Sequence, residues 1–340
     1  RARARIAVAL LALLLLAVMA AALATGPYGL PAGRVLAILG DWLTGQPAAD
    51  VTERIVLVDI RLPRLLLGAL VGAALAVSGT MLQGLFRNPL ADPGLVGVSS
   101  GAALGAVAAI ITGAALLAPI AAVLSLGILP VAAFLGGFVT TLLLYAIATR
   151  QGRTSVATML LAGIAIGAFS GAITSWLVFR STDAQLRELT FWTMGSLSGA
   201  TWLKIAFAAP PILAVLALSP VVARGLDALV LGEAEAHHLG IDTERLKTVI
   251  VFAVAVMVGV SVAFTGVIGF VGIVVPHLLR LGIGPEHRTL LPAAALLGAS
   301  LLIGADIVCR IAVAPAELPI GIVTALIGAP FFVSILLRRR

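Results

Sequence analysis

The sequence predicts an all-α integral membrane protein with ten transmembrane helices, several of them short or interrupted. Composition is the first reason: hydrophobic residues make up 61% of the 340-residue chain and charged residues 11%, with a mean hydropathy of +1.16, whereas about a quarter of a soluble domain is charged. Apolar runs long enough to cross a hydrocarbon core, about 20 residues each as a helix, recur along the whole length. The runs are continuously apolar and do not alternate, which disfavours a membrane barrel. No hydrophilic linker divides them, so residues 1–340 are read as one transmembrane domain.

The first span, 6–25, follows a basic start and ends near "AALA", features that also describe a signal peptide. Its apolar run from Ile6 to Ala24 is long for one, and cleavage would leave nine spans and set Arg338 to Arg340 on the wrong side of the membrane. Spans 61–84 and 94–112 carry glycines inside their apolar runs, with Gly68 and Gly72, and Gly101 and Gly105, at the four-residue spacing that lets helix backbones approach closely. Between them lies a break, "AVSGTMLQGLFRNPLADPG" (76–94). Spans 116–148, 155–179 and 201–222 follow as further apolar runs. A second break, "AFTGVIGFVGIVVPHLLR" (263–280), covers the junction of spans 246–265 and 267–281, and spans 289–308 and 318–337 complete the set. Each break opens with Ala, any residue, Ser or Thr, then Gly, and each has a proline ten positions after that glycine, Pro89 after Gly79 and Pro276 after Gly266. The match predicts a repeated element in two halves, with interrupted helices pointing to a transport path.

An even number of spans puts both termini on one side. With that side cytoplasmic, the inside segments hold Arg1, Arg3, Arg5, Arg87, Arg150, Arg153, Arg224, Arg245, Lys247, Arg280, Arg288, Arg338, Arg339 and Arg340, fourteen of the 22 basic residues, against eight outside. Cytoplasmic loops carry such an excess. The formal charge of +7, which would point to nucleic acid in a soluble protein, here has this topological cause.

Chemistry is excluded by inventory. Cys309 is alone, so neither an internal disulfide nor a cysteine metal cluster is available. None of His237, His238, His277 and His287 has a glutamate at zincin spacing, and the first two, adjacent on a helix, point about 100° apart and cannot share a metal. Ser99 and Ser100 lack the nucleophile-elbow spacing. A phosphate-binding loop needs GxxxxGK, and both lysines, Lys204 and Lys247, follow leucine. Ion-coupled transport needs acids or bases near the bilayer centre; Asp306 is the exception, and Arg310 four residues on closes a pair with it at the outer helix end. A transporter of this composition takes its energy from another chain.

That leaves the polar island "LVLGEAEAHHLGID" (229–242), between the sixth and seventh spans. Gly232 and Gly240 bracket about two helical turns, with Glu233 and Glu235 in the first turn where they suit the helix dipole. A short helix bounded by breaks has the form of a lever.

Five stretches in collinear order resemble the FecCD family of permeases, the membrane subunits of type II ABC importers for haem, ferric siderophores and cobalamin. They are "DIRLPRLLLGALVGAALAVSGTMLQGLFRNPLADPGLVGVSSGAALGA", "FWTMGSLSGATW", "LGEAEAHHLGID", "GFVGIVVPHLLRLGIGPEHRTLLPAAALLGAS" and "ELPIGIVTALIGAPFFVSILLRR". The resemblance implies a homodimer in the bacterial inner membrane, two cytoplasmic ATPase subunits that bind the ATP and Mg, and a periplasmic binding protein. This chain then needs no cofactor and binds no metal or nucleic acid, and is itself no enzyme. Residues 227–242 become cytoplasmic coupling helices, with Gly232, Glu233, Glu235, His237, His238, Leu239 and Gly240 facing the ATPase. The inner gate lies at Asn88, Pro89 and Leu90 and beside "SVATMLLAG", whose hydroxyls are Ser155 and Thr158. Arg61, Arg64 and Arg310, on the side that should be poor in positive charge, would dock a glutamate on each lobe of the binding protein; snorkelling to lipid phosphate is the blander reading. Cobalamin permeases have a more polar pair where Val156 and Ala157 stand here, and "FWTMGSLSGATW" is closer to haem permeases. The cargo expected is therefore an iron chelate, haem first and ferric siderophore second, with cobalamin and, in a different class, proton-coupled transport as the alternatives.

Overall fold

A helical stretch of 35 residues, Val51–Leu85, passes through the middle of the molecule and is 83% buried over its apolar window, the most of any spanning helix. The computed structural model describes residues 2–26, 28–47, 50–113, 118–314 and 316–338; Arg1, Arg339 and Arg340 of the charge count lie outside the described residues. In chain order the helices are α1 (Ala2–Ala24), α2 (Ala32–Thr44), α3 (Val51–Arg54), α4 (Leu62–Leu85), α5 (Val98–Thr112), α6 (Ala118–Leu124), α7 (Ile128–Ala148), α8 (Val156–Phe179), α9 (Asp183–Thr193), α10 (Trp202–Leu229), α11 (Glu233–His238), α12 (Thr243–Thr265), α13 (Val271–Ile283), α14 (His287–Ile311) and α15 (Ile320–Arg338). A two-residue hairpin, β1 (Thr149–Arg150) with β2 (Arg153–Thr154), joins α7 to α8. Among the described residues, seven stretches are long and apolar enough to cross a membrane: α1, Val51–Leu85, α7, α8, α10, α12 and α14; α5, α13 and Ile320–Ser334 of α15 are shorter apolar helices.

Several boundaries differ from expectation, each for a local reason. Span 61–84 begins ten residues early, because the Asp50 carboxylate caps the backbone N–H groups of Thr52 and Glu53 at 2.8 and 3.2 Å and starts α3. Pro63 has no N–H to offer the carbonyl four residues back, and the chain between α3 and α4 loosens into a π-helical turn, Ile55–Arg61. Span 116–148 is two helices, parted where Ser125 and Gly127 take φ of 54° and 78°. α10 runs to Leu229 despite Pro210, Pro211 and Pro220, whose missing N–H groups a spanning helix tolerates.

Both breaks follow one course, a long helix, a loop and a short apolar helix (α4 to α5 and α12 to α13), but the matched residues sit differently in them. "AFTG" ends α12, with Gly266 at φ 71°, but "AVSG" lies within α4, which continues to Leu85. Pro89 stands in the loop after α4, whereas Pro276 is inside α13.

Glycine decides the packing. A Cβ on Gly72 would lie 2.3 Å from the Gly298 carbonyl oxygen, and one on Gly79 would lie 2.0 Å from that of Gly272, so α4 meets α14 and α13 backbone to backbone. The same holds for α5 on α7, where a Cβ on Gly136 would sit 2.2 Å from Gly101 O. Gly68 instead faces the Leu197 side chain. Three hydroxyls in the buried spans are satisfied within their own helices: Thr80 donates to Ala76 O, Ser261 to Met257 O and Ser300 to Leu296 O at 2.7–2.8 Å, whereas the buried Ser78 hydroxyl of α4 has no partner among the described residues.

The bundle has two unlike ends. At one, the C-termini of α4 and α10 meet the N-termini of α8, α12 and α14 around α11: Lys247 reaches Thr154, and His287 reaches Asp227. At the other, the C-termini of α1 and α14 meet the start of α4, where Arg310 reaches Ala22 and Thr25, and Ile320 at the start of α15 bonds Gly195. α1 therefore starts, and α15 finishes, at the α11 end.

Replacing Gly72 with leucine should lower the melting temperature of the detergent-solubilised protein by roughly 5 °C or more, since overpacking costs about 1–3 kcal/mol and each kcal/mol moves the midpoint of a large domain by about 2–4 °C. Gly40→Leu, in open space on α2, is the control; equal melting of the two variants would contradict the backbone crossing.

Candidate functional site

At the α11 end, Gly232 at φ 123° lets the chain leave α10 sharply. Ala236 is fully buried and pins the helix, and the Ile241 N–H returns to Ala236 O at 3.0 Å across Gly240, which has φ 81° and closes the C-terminus. Glu235, His237, His238 and Leu239 are exposed, and with Val230 and Leu231 they form a mixed apolar and charged face. Glu233 is exposed as well, and its carboxylate reaches back 2.7 Å to Lys247 Nζ.

Lys247, on the first turn of α12, is buried, and each of its three N–H donors has an acceptor: Glu233 Oε2 at 2.7 Å, Glu244 Oε1 at 2.9 Å and Thr154 O at 2.9 Å. Glu244 accepts the Thr154 N–H at 2.7 Å through its other oxygen. The sequence reading overlooked this cluster. The only sign of it was one of two lysines three positions after a glutamate at the start of a helix.

Thr154 leads directly to Ser155, whose hydroxyl caps α8 by accepting the Thr158 N–H at 3.2 Å. Asn88 and Leu90 lie in the loop after α4, where Asn88 Oδ1 accepts the Leu90 N–H at 3.0 Å and Pro89 sits between them. Burial pushes the Asp92 carboxyl up from the ordinary aspartate range, against the pull of the Gly94 N–H that it accepts at 2.8 Å. Gln83 ties this loop to α13, donating to Ala91 O and Gly272 O at 3.3 and 3.1 Å and accepting from Arg280. The two groups expected to form one gate, residues 88–90 and Ser155 with Thr158, lie on separate elements with no hydrogen bond between them among the described residues.

The opposite end holds the arginines expected to dock the binding protein. Arg61, Arg64 and Arg310 are not held out to solvent; they are 5%, 7% and 6% exposed. Arg64 donates from Nε and Nη2 to Asp306 Oδ1, both at 2.8 Å, and from Nη1 to Glu317 at 2.8 and 2.9 Å. The expected pair of Asp306 with Arg310 is present at 3.1 Å, as part of this larger network. Arg310 also donates to Ala22 O and Thr25 O, and Arg61 to Leu23 O and Tyr28 O. Glu317 was overlooked because it lies in sequence beyond α14, in the loop that the Leu318 N–H ties back to Cys309 O.

A model of the FecCD transport family matches residues 13–338, nearly the whole chain. The chain belongs to the FecCD transport family. This FecCD protein is 49% identical over 282 residues to the hemin transport system permease protein HmuU of Yersinia pestis, covering 83% of each chain. It is 46% identical over 285 residues to the cobalamin import system permease protein BtuC of Halobacterium salinarum, covering 84% of this chain and 74% of that one. Among solved structures it resembles an inward-facing metal-chelate type ABC transporter, with a TM-score of 0.83 and 34% identity over 97% of this chain and 98% of that one. Together with its spanning helices, this makes it a membrane-embedded permease.

In this FecCD permease the Arg64, Asp306, Arg310 and Glu317 charges cancel. Asp306→Asn or Arg310→Met alone should destabilise by about 3–5 kcal/mol, because each strands a buried charge. The double variant should cost clearly less than the sum, read from melting in a double-mutant cycle; additive losses would show the pair to be independent.

Proposed function

We propose that this chain is the membrane-spanning subunit of an ATP-driven importer that carries a metal chelate to the cytoplasm, working as a homodimer of ten-span subunits with two separate ATPase subunits that hold ATP and Mg. The observation that carries this reading is the α11 face. A permease without a phosphate-binding loop presents, on a helix stapled to its core by Ala236, the exposed Glu235, His237, His238 and Leu239 beside Val230 and Leu231. Exposed leucines among charges suit a protein partner better than water. With that partner in the cytoplasm, both termini are read as cytoplasmic and the arginine cluster as periplasmic.

The relatives named for hemin and for cobalamin transport support a metal chelate as cargo, and the sequence puts haem first among the candidates. The haem preference rests on "FWTMGSLSGATW" and on the apolar Val156 and Ala157 between Ser155 and Thr158. Ferric siderophore is the next reading. No histidine stands near the outer end to ligate iron, which suits a path that releases its cargo. The binding protein is proposed to dock over Arg61, Arg64 and Arg310. Glu317, whose side chain is 37% exposed, already occupies Arg64 as an incoming carboxylate would, so docking exchanges one carboxylate for another.

Reconstituted in nanodiscs with its ATPase, the permease should hydrolyse ATP several-fold faster when haem-loaded binding protein is added than when cyanocobalamin-loaded or empty binding protein is. Uptake driven by a proton gradient without any ATPase would overturn the reading. Glu235→Lys should weaken co-purification of the ATPase by about tenfold in Kd while leaving the permease folded, since the charge lies at a contact rim; unchanged affinity would remove α11 from the interface.

A further inference from the structure

Lys247 does more than fill a hole. Among the described residues, Glu233 is the one α11 side chain with an ion pair to another element, and the pair runs to a lysine that is itself 2% exposed. From the same ammonium the next hydrogen bond ends on the carbonyl of Thr154, the residue peptide-bonded to Ser155 at the cap of α8. Glu244 closes the ring, taking Lys247 on one oxygen and the Thr154 N–H on the other. The hairpin is held in turn, because Thr149 and Thr154 share a hydroxyl hydrogen bond at 3.0 Å and the Ser155 N–H donates to Ala148 O at 3.0 Å. The next residue of α12, Thr248, shares a hydroxyl hydrogen bond with Tyr145 of α7 at 2.8 Å.

Three elements thus converge on one nitrogen: α11, the start of α12, and, 93 residues before Lys247, the strand that leads into α8. An ammonium has three donors, and here all three are used. A buried charge with every donor engaged cannot let one acceptor slip without stranding itself, so its partners are held to a fixed separation. Apolar contacts slide; this one does not.

We propose that Lys247 is the positioning residue through which displacement of α11 is passed to the N-terminus of α8. This rests on the reading of α11 as the seat of a partner ATPase and of Ser155 and Thr158 as gate residues, and it adds the physical connection between them. α8 needs no contact with the ATPase to respond to it: α11 moves Glu233, Glu233 moves the ammonium, and the ammonium carries Thr154 O with it.

The test uses the permease assembled with its ATPase in nanodiscs. Cys309 is replaced by alanine, and a nitroxide is placed at Ala157→Cys, an exposed site on the first turn of α8. Pulsed dipolar spectroscopy measures the distance between the two labels of the homodimer, with and without Mg-ATP and vanadate. The otherwise native complex should shift between two distances. Lys247→Met should reduce the ATP-dependent shift in population by between about twofold and thirtyfold, the range by which residues along a coupling route change it, while basal ATP hydrolysis continues. Lys247→Arg, which keeps the charge and the donors, should restore most of the shift. A merely structural lysine would lower the melting temperature of the methionine variant and leave the shift intact, and that result overturns the proposal. If Lys247→Met does not assemble, Glu233→Gln, on a half-exposed side chain, is read in its place: a full shift overturns the proposal and a reduced one supports it. If the labels on the otherwise native complex do not move at all, the reading of α11 and α8 fails with the inference. If they move in both, only the inference falls.

Discussion

The contact on which the rest of the structure depends is the backbone-to-backbone crossing of α4 with α14 and α13 at Gly72, Gly298, Gly79 and Gly272. In lipid no hydrophobic effect pushes helices together, because hydrocarbon tails are as apolar as leucine, and association comes from close van der Waals contact. Only glycine allows carbonyl oxygens to lie where a Cβ would otherwise stand, at 2.0–2.3 Å. Once α4 is fixed against α14 and α13, its two ends are placed within reach of the polar groups at both faces of the bundle.

Those polar groups then follow a common rule. A charge taken out of water is tolerated only when its partners are complete. At one end Arg64, Arg310, Asp306 and Glu317 neutralise one another, and spare guanidinium donors find carbonyls at the C-terminus of α1. At the other, Lys247 satisfies two carboxylates and a carbonyl. Both networks gather segments distant in sequence, so each works as a joint between helices that the glycine crossings alone would leave free to slide. The joints differ in exposure. Glu233 and Glu317 are the partly exposed members, and each is where an outside protein could act on a buried cation.

Much of this was legible in the sequence. Every expected span has an apolar helix, because hydropathy reports directly on the need to bury a backbone in lipid. The pairing of Asp306 with Arg310 follows from helical spacing, and the glycines bracketing residues 233–239 predict a short helix correctly. What could not be read depends on tertiary meeting points. Lys247 looked like one more positive charge on the inner side, because Thr154 and Glu233 are 93 and 14 residues away from it. The arginine network could not be read for the same reason: Glu317 lies 253 residues from Arg64. The four-residue pattern does not mark one structural position, since "AVSG" packs within a helix and "AFTG" ends one. The early start of the second span came from one capping side chain, Asp50, which hydropathy cannot see.

The central claim is that the polar face of α11 is a seat for another polypeptide. Hydrogen–deuterium exchange of residues 229–242 in the nanodisc-embedded permease, with and without its ATPase, tests it most directly. Binding is predicted to slow exchange sharply over this stretch, with little change at α2 and α9. Exchange unchanged at 229–242 when the complex is formed would contradict it.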